Sequence, residues 1–131
     1  MSQEISPGAV GVLEWIVEDQ HCTRRGSYDI FSTPNLVRLL EEAAIDALAP
    51  HLGDDQSSVG SRVDVAHIAP TLKGQRVKAT ATITKVDRRR VDFDIHVEDD
   101  QETIGRASHE RFVVDIPTFE HRLAEKTKDL S

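Results

Sequence analysis

FSTPNLVRLLEEAAIDALAP, residues Phe31 to Pro50, is the one long stretch of the chain with helical periodicity. At about 100° per residue, Leu36, Leu40, Ala43 and Ala47 form one apolar stripe, widened by Val37, Ala44, Leu48 and Ile45. Arg38, Glu42 and Asp46 gather on the opposite side, whereas Glu41 falls between Leu48 and Ile45 at the edge of the apolar arc. The pattern therefore predicts a helix with a carboxylate at least partly buried. An ionised carboxylate there costs several kcal/mol, roughly, unless partners satisfy it, so Glu41 is a candidate for hydrogen bonding or catalysis. The plainer alternative is a boundary glutamate whose stem packs while its head reaches water.

Local signals bound this helix. Thr33 before Pro34 is a helix start: threonine can cap the free N–H groups, and proline at the first helical position loses no hydrogen bond. Pro50 and Gly53 end it, with His51 at the negative end of the helix dipole. Upstream, Val10 to Val17 (VGVLEWIV) reads as a first strand, joined to the helix by polar DQHCTRRGSYD. Downstream, four stretches alternate with period two. The first, SSVGSRVDVAHI, places Val59, Ser61, Val63, Val65 and His67 on one face, and Pro70 and Gly74 punctuate its end. The next places Val77, Ala79, Ala81 and Ile83 inward, and the third Val91, Phe93, Ile95 and Val97, with Asp92, Asp94 and His96 outward. The last, ETIGRASHERFVVDI, is long, and Gly105 is a candidate bulge. The charged tail from Pro117 to Ser131 reads as a peripheral helix or a frayed end.

Strand, helix, then four strands implies an α+β architecture, an antiparallel sheet with one long helix against it. The 131 residues, with one Trp, one Tyr and four Phe, fit a single domain and one core, 1–131. A net charge of -7 argues against nucleic acid, which demands a basic footprint; the run Arg88, Arg89, Arg90 is the exception. The single cysteine, Cys22, excludes an internal disulfide and a Cys-x-x-Cys metal or redox pair, and fits reducing cytoplasm. No metal site is expected. No apolar run is long enough for a bilayer, and Met1 to Gly8 lacks a basic-then-apolar leader, so no membrane partner is expected. A sheet around one helix leaves an edge strand to cover, which predicts a homodimer; whether dimers pair further into a dimer of dimers stays open.

Thr33, Glu41, His67 and the triplet His109, Glu110, Arg111 are the polar groups that such a fold can gather near the helix. A hydroxyl, a carboxylate and an imidazole are parts for hydrolysis. Each also has a structural reading: Thr33 as a cap, His67 as a hydrogen-bonded core histidine, and the triplet as a salt-bridged strand face. The runs FSTPNLVRLLEEAA, LAPHL, VGSRVDVAHIAPTLKGQRV and IGRASHERFVV, in this order and spacing from Phe31 to Val114, resemble the hotdog-fold thioesterases of the fluoroacetyl-CoA thioesterase type.

That resemblance implies hydrolysis of a short acyl-CoA thioester at a dimer interface, with no cofactor beyond the coenzyme A of the substrate. It places the catalytic threonine, helix glutamate and strand histidine on Thr33, Glu41 and His67. Glu41 would be nucleophile or base, His67 would assist proton transfer, and Thr33 would hydrogen-bond the carboxylate. Gly60, Arg111, Phe31 and Pro34 fall in the substrate region. The chain departs from the pattern in two places: polar HCTRRGSYDI replaces an aromatic-rich lid, and Pro34 replaces a glycine. An acyl group other than fluoroacetyl is the expectation. For the phosphates of CoA, Arg88, Arg89, Arg90, Lys73, Arg24 and Arg25 are candidates. Two rivals are a noncatalytic acyl-CoA or small-ligand binding dimer and a hotdog hydratase using Asp46 and His51. Crotonyl-CoA hydration would revive the latter.

Overall fold

The computed structural model describes residues 4–130; Met1 to Gln3 and Ser131 of the expected 1–131 domain lie outside the described residues. The elements run β1 (Val10–Ile16), β2 (Cys22–Arg25), β3 (Tyr28–Phe31), α1 (Thr33–Leu48), β4 (Gln56–His67), β5 (Arg76–Asp87), β6 (Arg90–Asp99), β7 (Thr103–Asp115) and α2 (Ile116–Thr127). Five strands form one antiparallel sheet in the order β1-β5-β6-β7-β4, and β2 and β3 form a separate hairpin. The helix α1 touches all five strands of the large sheet.

The core lies between that helix and the inner sheet face. Leu36, Leu39, Leu40, Ala43, Ala44, Ala47 and Leu48 are buried on α1 against Val77, Ala79, Ala81 and Ile83 of β5 and Val91, Phe93, Ile95 and Val97 of β6. β6 follows its period-two pattern throughout, and β5 does so as far as Ile83, where its register against β6 shifts by one residue before Lys85. The apolar stripe of α1 is rotated from the expected one: Leu39 is fully buried, while Ile45 is 42% exposed. Rotation brings the small residues Ala43 and Ala47 onto β1, where Gly11 permits backbone-to-backbone approach. A Cβ on Gly11 would stand 2.8 Å from the Ala47 Cα and closer still to the Ala43 carbonyl oxygen.

Three local readings are corrected. The polar connection after β1 contains the hairpin β2–β3, turned at Gly26 in a left-handed conformation (φ 60). The cap of α1 is Ser32, whose Oγ accepts from the Asn35 N–H at 3.4 Å; Thr33 is the first helical residue and Pro34 the second. In β4 the register shifts between Gly60 and Arg62, so Ser58 and Gly60 precede Val63, Val65 and His67 on the inner face. Val59 pairs with Phe112, whose side chain lies on the outer face. One inserted residue switches the face that strict alternation assigns. The bulge in β7 falls beside Gly105 as expected, where Val97 pairs with Gly105 and Glu98 with Thr103. The tail forms α2 with no buried residue.

Candidate active site

Because Ser32 caps α1, the Thr33 hydroxyl is released for a tertiary contact. It meets Nδ1 of His67, the last residue of β4, at 2.7 Å. The other ring nitrogen, Nε2, is buried and has no hydrogen-bond partner among the described residues. The backbone of Ala69 lies close enough to favour the charged ring, and because an unpaired buried polar atom costs about 1–3 kcal/mol, Nε2 can take a further partner. Burial holds the His67 pKa below its ordinary value, so the ring is neutral at pH 7 and can take up a proton during reaction. Phe31 and Pro34 line a cavity of about 510 Å³ together with Thr33 and His67.

A second polar cluster surrounds Glu41. Its carboxylate oxygen Oε2 accepts from Nη1 of Arg111 at 3.3 Å. The Arg111 side chain is 5% exposed and that of Glu41 35%. Two further contacts fix the guanidinium: Nε donates to Ser58 Oγ at 2.9 Å and Nη2 to the Ser58 carbonyl at 3.1 Å. Burial pushes the Arg111 pKa down and the Glu41 charge opposes that shift, so the pair sustains a cation inside the fold. Gly60 sits against both: a Cβ there would lie 2.9 Å from Glu41 Oε2 and 3.2 Å from Arg111 Nη1. The bulge and the missing side chain leave the carboxylate room to reach its arginine.

His109 completes this cluster. Its Nδ1 lies 2.7 Å from the Arg62 carbonyl, and a carbonyl can only accept, so Nδ1 carries the hydrogen. In the neutral ring Nε2 is then an acceptor, and Arg111 Nη1 stands 3.3 Å from it. Burial first, and the Arg111 charge after it, hold the His109 pKa below its ordinary value. The folded chain thus binds this proton less readily than the unfolded chain. The stability that the neutral ring contributes is complete above the unfolded value of about 6.5, and is lost as the pH falls through the depressed folded value. His109→Gln keeps an acceptor without titrating. We expect its urea midpoint to fall less than that of wild type between about pH 7.5 and pH 5; equal falls would remove His109 from the acid response.

The two clusters stand apart on α1. Thr33 and Glu41 are eight residues, or about 12 Å of helix rise, from one another. Among the described residues Glu41 forms no hydrogen bond with Thr33 or His67; the Thr33 hydroxyl bonds the imidazole, where the carboxylate was the expected partner. Ser58 was missed by the sequence reading because its inward orientation depends on the bulge two residues later. Most basic candidates are engaged elsewhere: Arg24 with Asp29, Lys73 with Asp19, Arg89 with Asp115, and Arg90 with Asp92 and Glu110. Arg88 contacts Asp87 at the exposed β5–β6 turn, and Arg25 forms no ion pair among the described residues. Asp46 is exposed and His51 Nδ1 meets the Glu4 carbonyl, so neither joins either cluster. Among the described residues no three His, Cys, Asp or Glu side chains are grouped to hold a metal ion, and no helix is long and apolar enough to cross a membrane.

The family described as FlK, fluoroacetyl-CoA-specific thioesterase, matches residues 17–116. A fluoroacetyl-CoA thioesterase from Streptantibioticus cattleyicolor is 33% identical over 99 residues, covering 76% of this chain and 71% of the relative. A solved structure of the fluoroacetyl-CoA thioesterase FlK superimposes with a TM-score of 0.86 at 26% identity, over 95% of this chain and 98% of that one. A hot-dog-like protein from Thermanaerovibrio acidaminovorans shares the fold, with a TM-score of 0.84 at 23% identity over 92% of this chain and 91% of that one. The matched span runs from the end of β1 to the start of α2 and holds both polar clusters, so the chain belongs to the FlK family of fluoroacetyl-CoA-specific thioesterases and is a thioester hydrolase of hotdog fold.

Proposed function

We propose that the protein hydrolyses a short or small acyl-CoA thioester, other than fluoroacetyl-CoA, at a site shared between the two subunits of a cytoplasmic homodimer. The observation that carries this reading is the division of the polar set: Thr33 with His67 in one place, and Glu41 with Arg111 and Gly60 in another. The strand β4 is an edge of the sheet, twelve residues long, and an unpaired edge of that length is a pairing surface. Antiparallel pairing of two β4 strands about a two-fold axis between Val63 and Asp64 sets position 60 of one protomer opposite position 67 of the other. That register directs the Thr33–His67 pair toward the partner's Glu41. It also offers the buried Nε2 of His67 something to meet.

In such a site Glu41 acts at the thioester carbonyl, as nucleophile or as base toward a water. The C–S bond breaks and water supplies the oxygen of the carboxylate product; the His67 imidazole, neutral at rest, takes up a proton released by that water and delivers it to the departing CoA sulfur, ending neutral again. Thr33 holds the ring through Nδ1 so that Nε2 does the transfer. Arg111 fixes one oxygen of Glu41 and leaves the other for chemistry. Gly60, with no side chain, gives the Glu41 carboxylate and Arg111 their place against the β4 backbone. The acyl assignment rests on the β2–β3 hairpin, which sets Thr23 and Arg25 at the cavity, while its one aromatic ring besides Phe31, Tyr28, is 62% exposed. Thiol release from acyl-CoAs ranging from acetyl to decanoyl tests the reading. Saturable turnover of at least one of them is the expected result, and binding without release across the series overturns it in favour of a ligand-binding dimer.

A further inference from the structure

The cavity beside the Thr33–His67 pair has an unusual charge for this chain. The protein carries 23 Asp and Glu residues against 16 Lys and Arg, yet no acidic residue lines this cavity, and its one permanent charge is the Arg25 guanidinium. The neighbouring arginine of the hairpin is neutralised, since Arg24 Nη1 meets Asp29 Oδ1 at 3.2 Å. Arg25 forms no ion pair among the described residues. Its described contact is Nη1 donating to the Arg24 carbonyl at 2.8 Å, which leaves the remaining N–H groups for another acceptor.

The hairpin is also fixed in place. The Phe31 N–H donates to the Thr71 carbonyl at 2.8 Å, the Lys73 N–H to the Asp29 carbonyl at 3.1 Å, and Ile30 bridges Leu72. Strand alternation then sends Thr23 and Arg25 to the cavity side. The Arg25 guanidinium stands between this cavity, which has no carboxylate, and a neighbouring one that Glu102 also lines; on the first side, a planar guanidinium on a docked strand is suited to a carboxylate or phosphate.

We propose that Arg25 is the anion-recognising residue of this cavity, and that the substrate presents an anionic group there: a carboxylate at the far end of the acyl chain or a phosphate of the CoA carrier. The inference rests on the thioesterase reading for the identity of the ligand. It differs from that reading in what it predicts for binding.

The test compares wild type with Arg25→Gln on butyryl-CoA, succinyl-CoA, and the N-acetylcysteamine thioesters of butyrate and succinate. Arg122→Gln, on the exposed face of α2, controls for net charge. Calorimetric titration in a Glu41→Ala background reads association without hydrolysis, so a failed thioesterase assay and a failed anion site are told apart. Arg25→Gln is expected to weaken binding about tenfold or more for ligands that carry the recognised anion. Loss confined to the two succinyl ligands assigns the acyl carboxylate, and loss confined to the two CoA ligands assigns a phosphate. Arg25→Lys is expected to restore binding in part, because a point charge replaces a bidentate fork. Equal effects of Arg25→Gln and Arg122→Gln on all four ligands, or no binding of any ligand to the Glu41→Ala protein, overturn the proposal.

Discussion

Glu41→Ala is expected to lower kcat toward the preferred acyl-CoA by about a thousandfold, the scale that follows if the proposed attacking group, or the proposed base for the attacking water, is removed. The fold survives this change. Alanine is the better helix former, and Arg111 keeps its two contacts with Ser58 and its contact with His109. Some stability is lost, because the Arg111 side chain is 5% exposed and its carboxylate partner is gone. Glu41→Gln separates the two roles. Its amide oxygen still accepts from Arg111, so thermal stability stays close to wild type, but it neither attacks nor takes a proton and the rate stays low. Steady-state kinetics and a thermal melt on both variants check this. A Glu41→Gln enzyme within about tenfold of wild type would show Glu41 to be a structural partner of Arg111 and nothing more.

Gly11→Ala destabilises the protein by about 3 kcal/mol or more, since the added methyl meets main-chain atoms of α1 and not a side chain that can turn aside. The Ala43 carbonyl and the Ala47 backbone are held in the helix ladder, so relief demands that the whole helix move off β1. Thr33 and Glu41 sit on that helix, and activity should fall with stability. In urea the midpoint drops with little change in slope, as expected for strain in a fold whose buried surface is kept. A midpoint shift equivalent to less than about 0.5 kcal/mol would mean that α1 lies farther from the sheet than its packing on Gly11 implies.

How far the sequence could be read depended on how regular each element is. β6 alternates throughout and β5 as far as Ile83, where its register shifts, and each expected inward residue is buried. The helix was legible from its period, yet its rotation was not, because the choice between Leu39 and Ile45 is made by the close approach of Ala43 and Ala47 to Gly11. Adjacent Ser32 and Thr33 can both cap a helix. Chain order favoured Thr33 beside Pro34, but the tertiary contact with His67 claims its hydroxyl and leaves the cap to Ser32. In β4 the glycine at position 60 was the signal for a bulge, and reading alternation straight through it put Val59 on the wrong face and hid Ser58. The β2 and β3 strands are four residues each, too short to show a period. Glu41 stood out correctly as a carboxylate on an apolar edge. That its partner is an arginine 70 positions away was beyond local pattern.

Subunit mixing tests the shared site most directly. Glu41→Ala and His67→Ala homodimers, each inactive alone, are unfolded together and refolded at equal concentration, and thiol release is compared with that of wild type refolded in parallel. If Glu41 of one subunit works with Thr33 and His67 of the other, each mixed dimer holds one intact site. Random reassortment then restores about a quarter of the wild-type rate. If the catalytic set is completed within one chain, every site in the mixture carries one defect, and the rate stays at the level of the separate variants.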